Sequence, residues 1–253
     1  MCPVLFKIGP FALYTYGLAL AIAFLAATAF IYRQAKNRGI DTAKLADLGF
    51  FVILAGIVGS RILFVVMYPA EYIHDPLKIL KLWEGGLVFY GGILGGVLAT
   101  IVLIKRYALP FWKTLDILAP ALAIAQAIGR MGCFMAGCCY GRPTDLPWGV
   151  VFTNPNSLAP LGIALHPTQL YHSLANLAVF LILFSILRKG RRASGQIFAL
   201  YLCLYGTGRF FVEFFRGDWR FVLIGHLNLT QLISLLLVLG GAVLYRLLES
   251  PRT

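Results

Sequence analysis

The sequence predicts an all-α integral membrane protein of about seven transmembrane helices, and three observations predict it. Of 253 residues, 60% are hydrophobic and 13% charged, a balance that a water-soluble domain of this length does not show. Apolar runs recur near residues 12–32, 45–67, 87–104, 115–128, 170–187, 196–214 and 228–246, most of them close to the ~20 residues needed to cross the hydrocarbon of a bilayer. The basic residues alternate between the connecting segments. Those at 33–44, 105–114, 188–195 and 246–253 hold 13 lysines and arginines, against 7 in the mostly longer segments at 1–11, 68–86, 129–169 and 215–227. The positive-inside rule then places the N-terminus outside, the C-terminus in the cytoplasm and the loop region 129–169 on the extracytoplasmic side.

Each element can be justified in order. The first run is long enough to span and is followed by Arg33 and Lys36, not by a small-residue cleavage site, so it reads as a span and not as a cleaved signal peptide. The second contains Arg61. The segment 70–86 carries Pro76, Trp83 and a glycine pair, which predicts a partly helical element at the interface anchored by its tryptophan. In the third span Gly91/Gly95 and Gly92/Gly96 stand four apart around Tyr90. That spacing permits close helix contact and also clears room for a lipid beside Tyr90; the two readings are compatible. The fourth span is short, and the turn formers between Gly137 and Pro160 predict a loop region with only short ordered pieces. No boundary, internal repeat or low-complexity linker divides the chain, so 1–253 reads as a single polytopic domain. A net charge of +12 would suggest a nucleic-acid partner in a soluble chain. Here the charge sits in short loops, which indicates topology and contact with anionic membrane lipid, with no nucleic acid involved.

An arginine at membrane depth costs ~2.5–3.5 kcal/mol even on lenient insertion scales, so it faces a partner or a wet cavity. Arg61, Arg130 and Arg209 are such positions. With them, Tyr16, Tyr90, His166, Gln169, Glu213 and Arg216 complete a polar set on the outer side. Arg209 and Glu213 stand four apart on one helical face and can form a structural ion pair. One carboxylate cannot neutralise Arg61, Arg130, Arg209 and Arg216 together, and a bound phosphate would supply the missing negative charge.

The run GRMGCFMAGCCYGRPTDLPWGVVF at 129–152, HPTQLYH at 166–172 and YGTGRFFVEFFR at 205–216 resemble the bacterial prolipoprotein diacylglyceryl transferases. YTYGL at 14–18, GSRI at 59–62, LWEGGLVFYGGILGG at 82–96 and Gln231 fall in the same family order, so the resemblance covers nearly the whole chain. It implies an enzyme of the bacterial plasma membrane whose site opens towards the outer face. The implied reaction moves the diacylglyceryl group of phosphatidylglycerol onto the lipobox cysteine of a prolipoprotein signal peptide and releases glycerol phosphate. No cofactor and no metal are implied. The implied catalytic residues are Arg130, Arg209, Tyr90 and Glu213; the implied substrate-binding residues are Tyr16, Arg61, Gly129, Cys133, Gly141, His166, Gln169 and Arg216. A phosphodiester with one negative charge becomes a leaving group approaching two, so arginines beside it favour the transition state over the substrate. The acceptor thiol, with an ordinary pKa of ~8.5, needs a base or a positive field. Glu213 is the formal proton acceptor if it is not committed to Arg209, and Tyr90 orients the donor. A same-fold transferase with another acceptor, and a lipid transporter, are the alternative functions.

Two departures from the family pattern stand out. Tyr90 occupies a position where many members have histidine. Cys133 and Cys138, with Cys139 added, replace an amide and an acidic residue of the commonest motif. On the oxidising side these cysteines can form a disulfide between Cys133 and Cys138 or Cys139, or serve as small buried thiols. A metal site with His166 or His172 and a catalytic cysteine are further readings; the spacing C-x4-C-C is not a standard zinc pattern, so no metal is assigned.

Overall fold

Long apolar runs become helices wherever backbone groups must be satisfied without water. The computed structural model describes residues 2–8, 11–73, 75–81, 85–190, 192–217, 222–224 and 227–249. Its seven helices are α1 (Thr15–Asn37), α2 (Thr42–Met67), α3 (Phe89–Arg106), α4 (Phe111–Ala136), α5 (Thr168–Lys189), α6 (Gln196–Glu213) and α7 (Leu229–Leu247). Among the described residues, all but α6 are long and apolar enough to cross a membrane. Three small antiparallel ribbons accompany them: β1 (Val4–Ile8) with β2 (Phe11–Tyr14), β3 (Val150–Val151) with β4 (Ala164–Leu165), and β5 (Val222–Ile224) with β6 (Leu227–Asn228). The chain is an all-α integral membrane protein.

One expectation requires correction. α4 does not stop near residue 128 but runs to Ala136, so Gly129, Arg130 and Cys133 lie on its last turns and the loop begins at Gly137. Its glycines are contact points: a Cβ on Gly132 would stand 2.6 Å from the Cβ of Ala19 in α1. Close approach of α1 requires that position to be bare.

The described residues divide into two compact units, Tyr32–Thr114 and the remainder, Met1–Ile31 with Leu115–Thr253. In the smaller unit the Asp41 carboxylate accepts from the amides of Ala43 (3.0 Å) and Lys44 (3.3 Å), capping the start of α2. α2 and α3 then touch backbone to backbone. A Cβ on Gly91 would lie 2.3 Å from the Gly59 carbonyl oxygen, and one on Gly95 would lie 2.3 Å from that of Ala55. These two glycines serve helix packing. Two 3-10 turns, Pro69–Glu71 and Pro76–Leu80, make the segment after α2 partly helical; the anchoring role expected of Trp83 lies outside the described residues.

In the larger unit Ala119 and Ala123 of α4 pack with Val179, Leu183 and Leu187 of α5 and Ile197 and Tyr201 of α6. α6 has Gly195 at its N-cap, without a side chain to cap it, and Asp116 of α4 takes over that task. Its buried carboxylate accepts from Gly195 N (2.6 Å) and Phe198 N (2.9 Å). Asp116→Ala removes a charge-assisted cap and leaves two amides short of their partner, a loss of ~2 kcal/mol. The expected result is a lower melting temperature in detergent, with faster hydrogen exchange confined to the first turn of α6.

Candidate active site

α6 ends in two residues that its sequence neighbours alone could not hold in place. Arg209 and Glu213 face one another at i, i+4, with Nη2 to Oε2 at 3.2 Å. The second guanidinium nitrogen, Nη1, stands 2.7 Å from Nε2 of His172 on α5. A guanidinium only donates, so Nε2 of His172 accepts and the ring is neutral with its proton on Nδ1. Oε1 of Glu213 accepts from Nδ2 of Asn228 at 3.0 Å, while the Asn228 side-chain oxygen accepts from Gln231 N at 2.9 Å in the capping box of α7. The start of α7 therefore fixes Glu213, Glu213 fixes Arg209, and α5 holds the other edge of the same guanidinium.

Glu213 is buried and also faces Nη1 of Arg216 at 3.9 Å. Arg130, half-buried near the end of α4, has no ion pair or hydrogen bond among the described residues. It is close enough to act electrostatically on Arg209, His172, Cys139 and Tyr16. Among the described residues Arg209 and Arg216 both face Glu213, and Arg130 stands within electrostatic reach of Arg209. A small cleft between α5 and α6, lined by His172, Asn176, Tyr205 and Arg209, opens beside them.

The loop after α4 is tied to α5 and to the end of α6 by backbone pairing. Gly141 N donates to the His166 carbonyl (3.0 Å), His166 N to that of Arg142 (3.0 Å), and Arg142 N to that of Phe215 (2.9 Å). A Cβ on Gly141 would sit 2.4 Å from the His166 carbonyl oxygen and 2.8 Å from that of Phe215, so three strands of chain meet only because residue 141 is glycine. Thr168 Oγ1 and Gln169 Nε2, both fully buried, donate to the carbonyls of Cys139 and Cys138, each at 2.8 Å. Gly129 is less constrained, since a Cβ there would make ordinary contact with Leu20 at 3.8 Å. Tyr16, in the first turn of α1, is 40% exposed within the protein.

His166 is buried, with its ring 5.2 Å from that of Phe215 and Nδ1 3.2 Å from the Tyr171 hydroxyl, which also accepts from Trp148 Nε1 at 2.9 Å. Burial, and then the charge of Arg142, hold its pKa below the ordinary histidine value. The unfolded chain therefore takes up the proton first, so this contribution to stability is present above about pH 6.5 and is lost as pH falls towards the folded pKa. Melting temperatures between pH 7.5 and pH 5 should decline, and His166→Gln should flatten part of that decline.

In the smaller unit, Tyr90 lies in the first turn of α3 and is exposed within the protein. Arg61 is buried and fully occupied. Nε donates to the carbonyl of Ile79 (2.9 Å), Nη1 to those of Gly85 (2.6 Å) and Gly86 (3.0 Å), and Nη2 to those of Lys78 (2.5 Å) and Lys81 (3.4 Å). Its plane lies against Tyr72 and Phe64. A guanidinium has five N–H groups, and each has a carbonyl here. These bonds let Arg61 organise the backbone at residues 78–81 and 85–86, and the same side chain lines a cleft with Phe64, Glu71, Tyr72 and Lys78.

The cysteines differ from the disulfide expectation: Cys133, Cys138 and Cys139 are free thiols, and their sulfurs all lie within 4.8 Å of one another. Sequence reading raised His172 only as an alternative metal ligand, not as a partner of Arg209, and missed Asn228. The signal for the first was present, because Gln169, His172 and Asn176 form a stripe at i, i+3 and i+7 on an otherwise apolar helix, and all three are buried.

Among the described residues, seven helices, six of them apolar enough to span, define an integral membrane protein, and Arg209, Arg216 and Glu213 meet at the end of one of them. Residues 3–247 match the family described as prolipoprotein diacylglyceryl transferase, and the chain belongs to that family. It is 39% identical to the phosphatidylglycerol–prolipoprotein diacylglyceryl transferase of Clostridium tetani over 98% of both chains. It is 36% identical to that of Trichormus variabilis over 92% of this chain and 84% of the relative. A second Clostridium enzyme, phosphatidylglycerol–prolipoprotein diacylglyceryl transferase 2 of Clostridium perfringens, is 34% identical over 96% of this chain and 94% of its own length.

Proposed function

We propose that this protein transfers the diacylglyceryl group of phosphatidylglycerol to the lipobox cysteine of a prolipoprotein, the first step of bacterial lipoprotein maturation. The observation that carries the reading is the guanidinium of Arg130, which has no anionic partner among the described residues and stands within electrostatic reach of Arg209. The phosphate of an anionic lipid has the charge and the acceptor oxygens that this set lacks. Arg130 and Arg209 bind it, and bind it more strongly as the C–O bond to the glyceryl carbon breaks and its charge rises. Arg216 adds to the field. Glu213 accepts from Asn228 with Oε1 and turns Oε2, which has no hydrogen bond, to Arg209, so it aims that guanidinium. Tyr16, Gly129, Gly141, His166 and Gln169 shape the region in which donor and acceptor meet. The excess of lysine and arginine on the alternate connecting segments supports a site that opens on the outer face of the plasma membrane.

The test is a reaction with purified protein, phosphatidylglycerol and a lipobox peptide. Glycerol phosphate and a thioether-linked diacylglyceryl peptide should appear in equal amounts, and neither should appear when the peptide cysteine is replaced by serine. Release of glycerol phosphate without the peptide would contradict the reading, and transfer to a different nucleophile would favour a same-fold transferase with another acceptor.

A further inference from the structure

The transfer reaction requires the acceptor thiol to lose its proton. Glu213 Oε1 accepts from Asn228, Oε2 faces the guanidinium groups of Arg209 and Arg216 without a hydrogen bond, and His172 offers Nε2 to Arg209. Beside them lie the three thiols of Cys133, Cys138 and Cys139, with sulfurs mutually within 4.8 Å. Neighbouring residues 138 and 139 do not turn their side chains apart as in an extended strand, because Cys139 has a left-handed backbone (φ 57°). That conformation is costly for a residue with a Cβ. It is held by Thr168 Oγ1 on the Cys139 carbonyl and Gln169 Nε2 on the Cys138 carbonyl, each at 2.8 Å. Gly137 completes the turn: its φ is +81°, and a Cβ there would stand 2.1 Å from Ser157 Oγ. The loop is built to bring three sulfurs together.

Sulfur-only donor sets select thiophilic d10 cations. With a metal–sulfur distance of ~2.3 Å, sulfurs in a tetrahedral site lie ~3.8 Å apart, so the cluster needs to contract by about 1 Å at most. Three thiolates and a divalent ion carry one net negative charge. Arg130 and Arg216, both within electrostatic reach of Cys139, supply positive charge beside it. Three protein ligands also leave the fourth position open, as in catalytic and not structural zinc sites.

We propose that Cys133, Cys138 and Cys139 form a three-thiolate site for a zinc ion, and that its fourth position takes the lipobox thiol. This rests on the diacylglyceryl-transfer reading. A coordinated thiol is deprotonated at neutral pH, its proton passing to water. The thiolate sulfur then forms a bond to the glyceryl carbon while the bond from that carbon to the phosphate oxygen breaks, its electron pair leaving with glycerol phosphate. The thioether product has no charge and is a poorer ligand, so it departs. Nothing is oxidised or reduced.

Cobalt(II) added to metal-free, reduced protein under argon is the probe. One equivalent should bind with the visible bands of a tetrahedral site and sulfur-to-cobalt charge transfer. Cys139→Ser and Cys138→Ala should each weaken binding at least tenfold, whereas Cys203→Ser, outside the cluster, should not. A lipobox peptide should raise the charge-transfer absorption ~1.3-fold, from three thiolates to four, and its serine analogue should leave it unchanged. Failure to bind cobalt, bound cobalt blind to the cysteine peptide, or undiminished thioether formation by chelator-treated protein would each overturn the proposal. Absence of thioether formation in zinc-loaded and metal-free protein alike would overturn the transferase reading itself, while the cobalt spectra would still decide the metal site.

Discussion

Arg209→Lys should lower turnover by ~10²–10³ while the protein remains folded. Lysine keeps the charge but loses the planar fork that presently reaches His172 with one nitrogen and Glu213 with the other. An ammonium can satisfy one of these contacts and the phosphate, but not all three in the same plane. Because the interaction strengthens only as the leaving group gains charge, the loss should fall on kcat with little change in KM. Arg130→Lys should behave similarly through its loss of a bidentate grip. Wild-type thioether formation in either lysine variant would mean that the arginines serve structure alone.

Arg61→Lys should act on stability instead. Five carbonyls between Lys78 and Gly86 receive their hydrogen bonds from this one side chain, and an ammonium has three donors at most. Leaving buried carbonyls unpaired and disturbing a buried charge costs ~3–5 kcal/mol. The melting temperature should fall by several degrees, and hydrogen exchange should accelerate in residues 76–81 before it does in α2 or α3. If Arg61 instead held substrate phosphate, the rate would fall and these amides would remain protected.

The helices were legible because burial in lipid demands long apolar runs; each of the seven lies within a few residues of its predicted place, with one exception. The end of α4 was hidden because Gly129, Arg130 and Gly132 interrupt the apolar run, and sequence does not show that α1 packs against Gly132. The N-terminal ribbon, β1 with β2, left no clear pattern, because a five-residue strand beside an apolar run merges with it. At the site, Arg209 and Glu213 could be paired from their spacing alone. Arg61 could not be told from them: an arginine that donates to five carbonyls looks, in sequence, the same as one that waits for an anion. The thiol cluster was unreadable for a similar reason, since C-x4-C-C gives no hint of the left-handed turn at Cys139 that gathers its sulfurs.

The central claim is that Arg130 and Arg209 grip one lipid phosphate, and a structure of the protein with bound phosphatidylglycerol tests it most directly. The account predicts headgroup density with phosphate oxygens within hydrogen-bonding distance of both guanidinium groups, and with Glu213 still paired to Arg209. Guanidinium groups more than about 15 Å apart, too far for two long side chains to share one phosphate, with the headgroup bound elsewhere, would contradict it.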